Sequence, residues 1–244
     1  MIAKAGVVGF ANSLESVSNS LLMRRIMTYS KMLDKPIIHH CSDPYLSKDT
    51  DMNESETAIR LGLIGEPSIA ETIILERDLN LVSLTGCRYH AAHISTASSI
   101  EALRLAKSKG LPVTADTSPA YFLLNDKATA DYNTSFRLNP PLRDEADRLA
   151  IIDAIADGTI DAIASDHHPI EMDRKMLPFG QAACGAAGVE TLLPLAFSLF
   201  HTHSISLTKL VTALSVAPAT TLCLHIPQPQ TDRQPDRQTD RQTD

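Results

Sequence analysis

Cysteine is scarce in this chain of 244 residues, and the four that occur (Cys41, Cys87, Cys184 and Cys223) form no CxxC pair. That scatter excludes a zinc ribbon and a disulfide-stapled scaffold, and it fits a reducing compartment. No stretch reaches the ~18 apolar residues of a membrane-spanning helix, and the first residues lack the basic-then-apolar pattern of a secretion signal. Positive charge is also short. The net charge is −7 with no local Lys/Arg cluster, which removes the electrostatic case for nucleic acid. Neither GxGxxG nor GxxxxGK[ST] occurs, so no phosphate-cradling glycine loop is encoded. These absences leave a cytoplasmic globular chain with no membrane or nucleic-acid partner. A hydrophobic share of 43% against 21% charged gives it enough apolar surface for a substantial core.

What is present alternates. Short apolar runs at residues 5–10, 36–41, 88–94, 111–115 and 160–164 read as strands, and helical patterns separate them. The helices are expected near 14–33, with Leu21, Leu22, Ile26, Met27 and Tyr29 as the apolar face, then at 67–84, 96–109 and 144–157. Two more follow at about 189–201 and 207–216, the second with Ser206 as N-cap. Residues 117–143 and 171–188 read as long loops, and loops of that length are more often functional than not. Helical crossovers make the strands parallel. Five β/α units fit either an open doubly wound sheet or part of a (β/α)8 barrel.

Polar residues at strand ends favour the barrel. The run Ile160–Ala164 delivers Asp166 and His167, the strand at 36–41 delivers His40, and the strand at 88–94 delivers His93. In parallel α/β folds the C-terminal strand ends carry the chemistry. Two imidazoles and a carboxylate converging there suit a borderline divalent cation such as Zn2+, with Asp166 as general base. A metal so held lowers the pKa of its water and polarises a carbonyl. Each histidine also has a plainer role open to it. His39 alternates with His40, so one faces inward and the other the helices, and His90 is a supporting partner or a core residue.

In order and spacing, several segments resemble the dihydroorotase family, the metal-dependent cyclic amidohydrolases. They are Ile38-His39-His40-Cys41, Tyr89-His90-Ala91-Ala92-His93-Ile94-Ser95-Thr96, Asn139-Pro140-Pro141-Leu142-Arg143, Asp161–His167, and Pro178-Phe179-Gly180 ahead of Gly188-Val189-Glu190-Thr191. The resemblance covers about residues 6–224. It implies a partial (β/α)8 TIM-type barrel, strands four to eight, over residues 1–225, with a low-complexity disordered tail at 226–244 where Asp-Arg-Gln recurs from Asp232. It implies His40, His93 and Asp166 as ligands of one or two Zn2+, and Asp166 as the proton shuttle. Asn139, Pro178, Phe179 and Gly180 would contact the substrate, dihydroorotate or N-carbamoyl-aspartate. The complete protein would be homo-oligomeric and could associate with aspartate transcarbamoylase.

The chain also departs from that family. The His-x-His-x-Arg motif of the family's first strand is absent. The bridging acid or modified lysine is replaced at the matching positions by Asn12 and Ser13, and the histidine four residues after the catalytic aspartate is Ile170. The small sandwich domain is also absent, so the expectation is an N-terminally incomplete chain that is a poor catalyst alone. A non-catalytic dihydroorotase-like subunit scaffolding aspartate transcarbamoylase is the competing function, and a hydantoinase or allantoinase is the near relative.

Overall fold

The computed structural model describes residues 5–12, 15–202 and 205–224. The expected tail at 226–244 therefore lies outside the described residues, as does Ser13. In chain order the elements are β1 (Phe10–Asn12), α1 (Ser20–Met32), β2 (Ile37–His40), β3 (Met52–Asn53), α2 (Glu56–Leu61) and β4 (Gly65–Glu66). Then come α3 (Ile69–Thr85), β5 (Tyr89–Ala92), α4 (Ala97–Ser108), β6 (Val113–Thr117), α5 (Pro119–Leu123), α6 (Glu145–Asp157) and β7 (Ala162–Ile163). The last helices are α7 (Met172–Lys175), α8 (Leu192–Thr202), α9 (Leu207–Val211) and α10 (Ala217–Thr221), with a π-helical turn at Thr212–Val216 joining α9 to α10.

Five strands form one sheet in the order β1-β2-β5-β6-β7, and every pairing is parallel. Consecutive β/α units thus lie side by side, as in a section of a barrel wall. A second, two-stranded parallel sheet, β3–β4, rises beyond the end of β2. Nothing in the sequence announced it, because two-residue strands carry no periodicity.

Register sorts the side chains. Ile38 pairs with His90 and His90 with Thr114, while His40 pairs with Ala92. These residues point to one face of the sheet. Their neighbours Ile37, Tyr89, Ala91, Val113 and Ala115 point to the other and join the main core with Leu75, Leu79 and Val82 of α3 and Ile100 and Leu103 of α4. The core thus lies between sheet and helices, and the opposite face carries the polar side chains.

Several boundaries and faces correct the sequence expectation. The first strand is Phe10–Asn12 rather than 5–10, and helix α1 starts at Ser20, where Asn19 caps it by accepting the Leu22 N–H. The buried stripe of α1 is Met23, Met27 and Ser30, whereas Leu21, Leu22 and Tyr29 are exposed. Leucine spacing alone does not fix which stripe meets the sheet. The loop expected at 117–143 contains α5 and two 3-10 turns, and Ile59 lies on α2. Ser206 does cap α9, accepting the Lys209 N–H.

With this stripe buried, Met27→Ala should cost about 2–5 kcal/mol of unfolding free energy, as cavities in packed cores do. Leu21→Ala should stay within about 0.5 kcal/mol, as exposed substitutions do. Denaturant melts of the two variants, equal in cost or reversed in order, would contradict the assignment of faces.

Candidate metal centre

His40 ends β2 on the face away from the helices, is almost fully buried, and has no hydrogen-bond partner for either ring nitrogen. The Asn139 amide approaches it without hydrogen-bond geometry. Buried polar atoms are nearly always satisfied, so two orphaned nitrogens on one ring need a reason. Burial, followed by the nearby His93, lowers the His40 pKa to about 4, which keeps one ring nitrogen's lone pair free at neutral pH.

His93 lies one residue past β5, its ring centroid 6.1 Å from that of His40. Its Nε2 is 3.8 Å from Asp166 Oδ1, and its Nδ1 is 3.4 Å from Asp116 Oδ1. Burial opposes its protonation, but the Asp116 carboxylate, helped by the charge of Asp166, prevails and raises its pKa to about 9, although His93 Nδ1 is buried without a partner in hydrogen-bond geometry. Burial pushes the Asp166 carboxyl up, while Asp116 is held far below the usual carboxylate range by the two histidines it faces, against its own burial. The backbone is left-handed at both His93 (φ 60°) and Asp166 (φ 45°). Such non-glycine conformations cost of order 1–3 kcal/mol and cluster at functional sites.

Of the three strand-end residues predicted as ligands, His40 neighbours His93 and His93 neighbours Asp166, but the three do not bring one ligand atom each within 4.8 Å of one another. Their donor set, two imidazoles and a carboxylate, fits a borderline divalent cation. Asn139 sits beside His40. Asn12 pairs in register with His39, which places it on the helix-facing side, away from His40. Phe179 packs instead with Met52 and Ala58, and Arg137 lies over its ring and donates to its carbonyl. Asp51 crowds Gly180, where an added Cβ would sit 2.9 Å from its Oδ1. The Pro178-Phe179-Gly180 segment is thus anchored on the β3–β4 sheet, and none of its described contacts reaches His40, His93 or Asp166. Gly188 is pressed against the end of β7 so closely that a Cβ would meet the Ser165 carbonyl oxygen. A cavity of about 240 Å³ opens beside Asp166, walled by Pro119, Leu123, Leu124, Phe136, Leu138 and Leu195.

Among the described residues the group that does bring three ligand-type atoms within 4.8 Å of one another is His39, Cys41 and Asp78. It lies on the helix side of the sheet, as the alternation of His39 with His40 requires. Its atoms are already engaged. The Val17 N–H donates to His39 Nε2 at 2.9 Å, so Nδ1 carries the proton and donates to Asp78 Oδ2 at 2.7 Å. Tyr89 donates to the same oxygen and Arg77 to the other. Burial, then the charge of Asp78, pushes the Cys41 thiol up, away from the thiolate that metals take. This is a polar lock between α3 and the sheet, and Asp78, within the charged run Glu76-Arg77-Asp78, gave no sequence signal for it.

Comparison with known proteins agrees with this architecture. Among solved structures, L-hydantoinase (dihydropyrimidinase) from Arthrobacter aurescens superposes with a TM-score of 0.80 at 22% identity, covering 91% of this chain and 52% of that one. D-hydantoinase (dihydropyrimidinase) from a Thermus species gives 0.78 at 21%, with 91% and 51% covered. At that identity the likeness shows the fold alone: this chain is a section of an α/β barrel.

Sequence similarity is narrower. The dihydro-orotase-like family model matches residues 1–99. A dihydroorotase from Desulfotalea psychrophila is 46% identical over 215 residues, 88% of this chain and 51% of the relative. One from Ehrlichia canis is 39% identical over 220 residues, 90% of this chain and 49% of the relative. The chain is thus similar to dihydroorotases, and it spans about half the length of the curated relatives it matches.

The His40 environment sets a pH dependence for the metal-free chain. A folded pKa near 4 lies below the ordinary 6.5, so burying the neutral ring is fully tolerated above 6.5 and increasingly costly as pH falls toward 4. Wild type should therefore lose on the order of 3 kcal/mol more than His40→Phe between pH 7 and pH 4. Parallel stability curves for the two proteins would contradict this.

Proposed function

We propose that the chain carries half of the active site of a zinc-dependent dihydroorotase, acting on dihydroorotate or N-carbamoyl-aspartate in pyrimidine synthesis in the cytoplasm. The observation that carries this reading is His40. Two unpartnered nitrogens on a buried neutral ring stand beside His93, whose Nε2 faces Asp166. Zinc would be held by His40, His93 and Asp166, and when bound it supplies an activated water and polarises the amide carbonyl.

The remaining chemistry belongs to the chain's own residues. Asp166 takes the proton of the attacking water as the new C–O bond forms. It returns that proton to the ring nitrogen as the C–N bond breaks. Its pKa, raised by burial, moves it toward that exchange. Asn139, beside His40, would hydrogen-bond the substrate ring, and the backbone of Pro178-Phe179-Gly180 would contact it from further out. Names of relatives support dihydroorotate over hydantoins, because the hydantoinase likeness rests on fold at about 20% identity.

One observation favours a second reading, a non-catalytic subunit that scaffolds aspartate transcarbamoylase. Asn12, at the position of an anionic bridge, is neither acidic nor turned toward His40. Among the described residues no helix is long and apolar enough to cross a membrane, which accords with either reading.

Metal analysis of the purified chain separates the two. About one zinc per chain is expected, lost in both His40→Ala and Asp166→Ala. A folded parent chain that holds no zinc when the metal is supplied would overturn the catalytic reading.

A further inference from the structure

Asp116 has no signature in the sequence, yet it is the most connected carboxylate on the polar face of the sheet. It sits on β6, two residues beyond Thr114, and is buried. Its Oδ2 accepts the His90 Nε2–H at 2.8 Å, and its Oδ1 accepts the backbone N–H of His93 at 2.9 Å. His90 is fixed in turn. Because its Nε2 donates, its Nδ1 accepts, and Thr114 Oγ1 lies 2.8 Å away to donate. Thr114, His90 and Asp116 thus form a chain that runs across two strands and ends at His93.

We propose that Asp116 is the positioning residue of the metal centre: anchored by His90 and Thr114, it holds His93 with Nδ1 turned toward its carboxylate and Nε2 presented to Asp166. Three features support this. Asp116 Oδ1 accepts the His93 backbone N–H and lies 3.4 Å from Nδ1, a buried nitrogen with no other partner in reach, though short of hydrogen-bond geometry. The backbone bond braces His93 in a left-handed conformation that a non-glycine residue resists. The ring nitrogen that does not face Asp116 is the one that faces Asp166. Ligating histidines are commonly oriented by a carboxylate on their second nitrogen, and losing that partner weakens metal affinity by about 10–100-fold. The assignment rests on zinc binding at His40, His93 and Asp166, and it adds Asp116, His90 and Thr114 to that site.

The test uses the full chain and two readouts. The first is the imidazole N–H proton of His93 Nδ1 in the metal-free protein, seen by NMR and assigned by its loss in His93→Gln. The second is zinc affinity measured against a competing chelator. In Asp116→Asn the His93 signal should shift or broaden into exchange with water, and zinc affinity should fall about 10–100-fold. His90→Leu leaves the carboxylate but removes its anchor, and should give the same changes at a few-fold size. A folded Asp116→Asn protein with an unmoved signal and unchanged zinc affinity would overturn the proposal. If Asp116→Asn fails to fold, His90→Leu decides by the same criteria. If wild type binds no zinc, the N–H signal still decides the role of Asp116, and only the zinc reading falls.

Discussion

Parallel register is the constraint on which everything else depends. His40 stands opposite Ala92, and His90 stands between Ile38 and Thr114. A slip of one residue in β2 would turn His39 to the polar face and bury His40 among the helices. Register is held from the helix side by the apolar set Ile37, Tyr89, Ala91 and Val113, and by the lock in which Asp78 of α3 receives His39, Tyr89 and Arg77. The polar face can therefore hold uncompensated groups because the opposite face is so fully determined. Two adjacent histidines on one strand have opposite fates, one satisfied by an aspartate and the other left with its nitrogens free.

The electrostatics of the polar face follow from that arrangement. Asp116 and Asp166 flank His93 and favour positive charge there, while burial keeps His40 neutral. A site that attracts positive charge and offers a neutral nitrogen lone pair suits a cation better than it suits a proton alone. The left-handed residues His93 and Asp166 bring their side chains round at the strand ends, where the sheet no longer pairs. Further out, the Arg143 guanidinium bonds Ser95, Asn53 and Glu66, tying the segment that begins at Asn139 to the β3–β4 sheet. Removing such a buried ion-pair partner typically costs about 3–5 kcal/mol, so this tie stiffens one wall of the site.

Much of this was legible in the sequence because chemistry at parallel strand ends has a linear signature. An apolar run that discharges into His40, His93 or Asp166 can be read without a structure. The five-unit order could be read for the same reason. Other features leave no such trace. The buried stripe of α1 depends on how the helix is rotated against the sheet, so Leu21 and Leu22 misled where Met23 and Met27 pack. Asp78 and Asp116 are single acids whose partners lie 39 and 26 positions away in sequence, and only tertiary pairing reveals them. The Phe179 side chain fills a small core with Met52, a packing partner that the Pro-Phe-Gly pattern does not announce.

The most direct measurement is X-ray absorption at the zinc edge on the zinc-loaded chain, because the two candidate clusters differ in one element. A centre at His40, His93 and Asp166 predicts a first shell of nitrogen and oxygen only, at about 2.0–2.2 Å, with imidazole outer-shell scattering. A sulfur shell near about 2.3 Å would place the metal at His39, Cys41 and Asp78, and would contradict a metal centre on the polar face of the sheet.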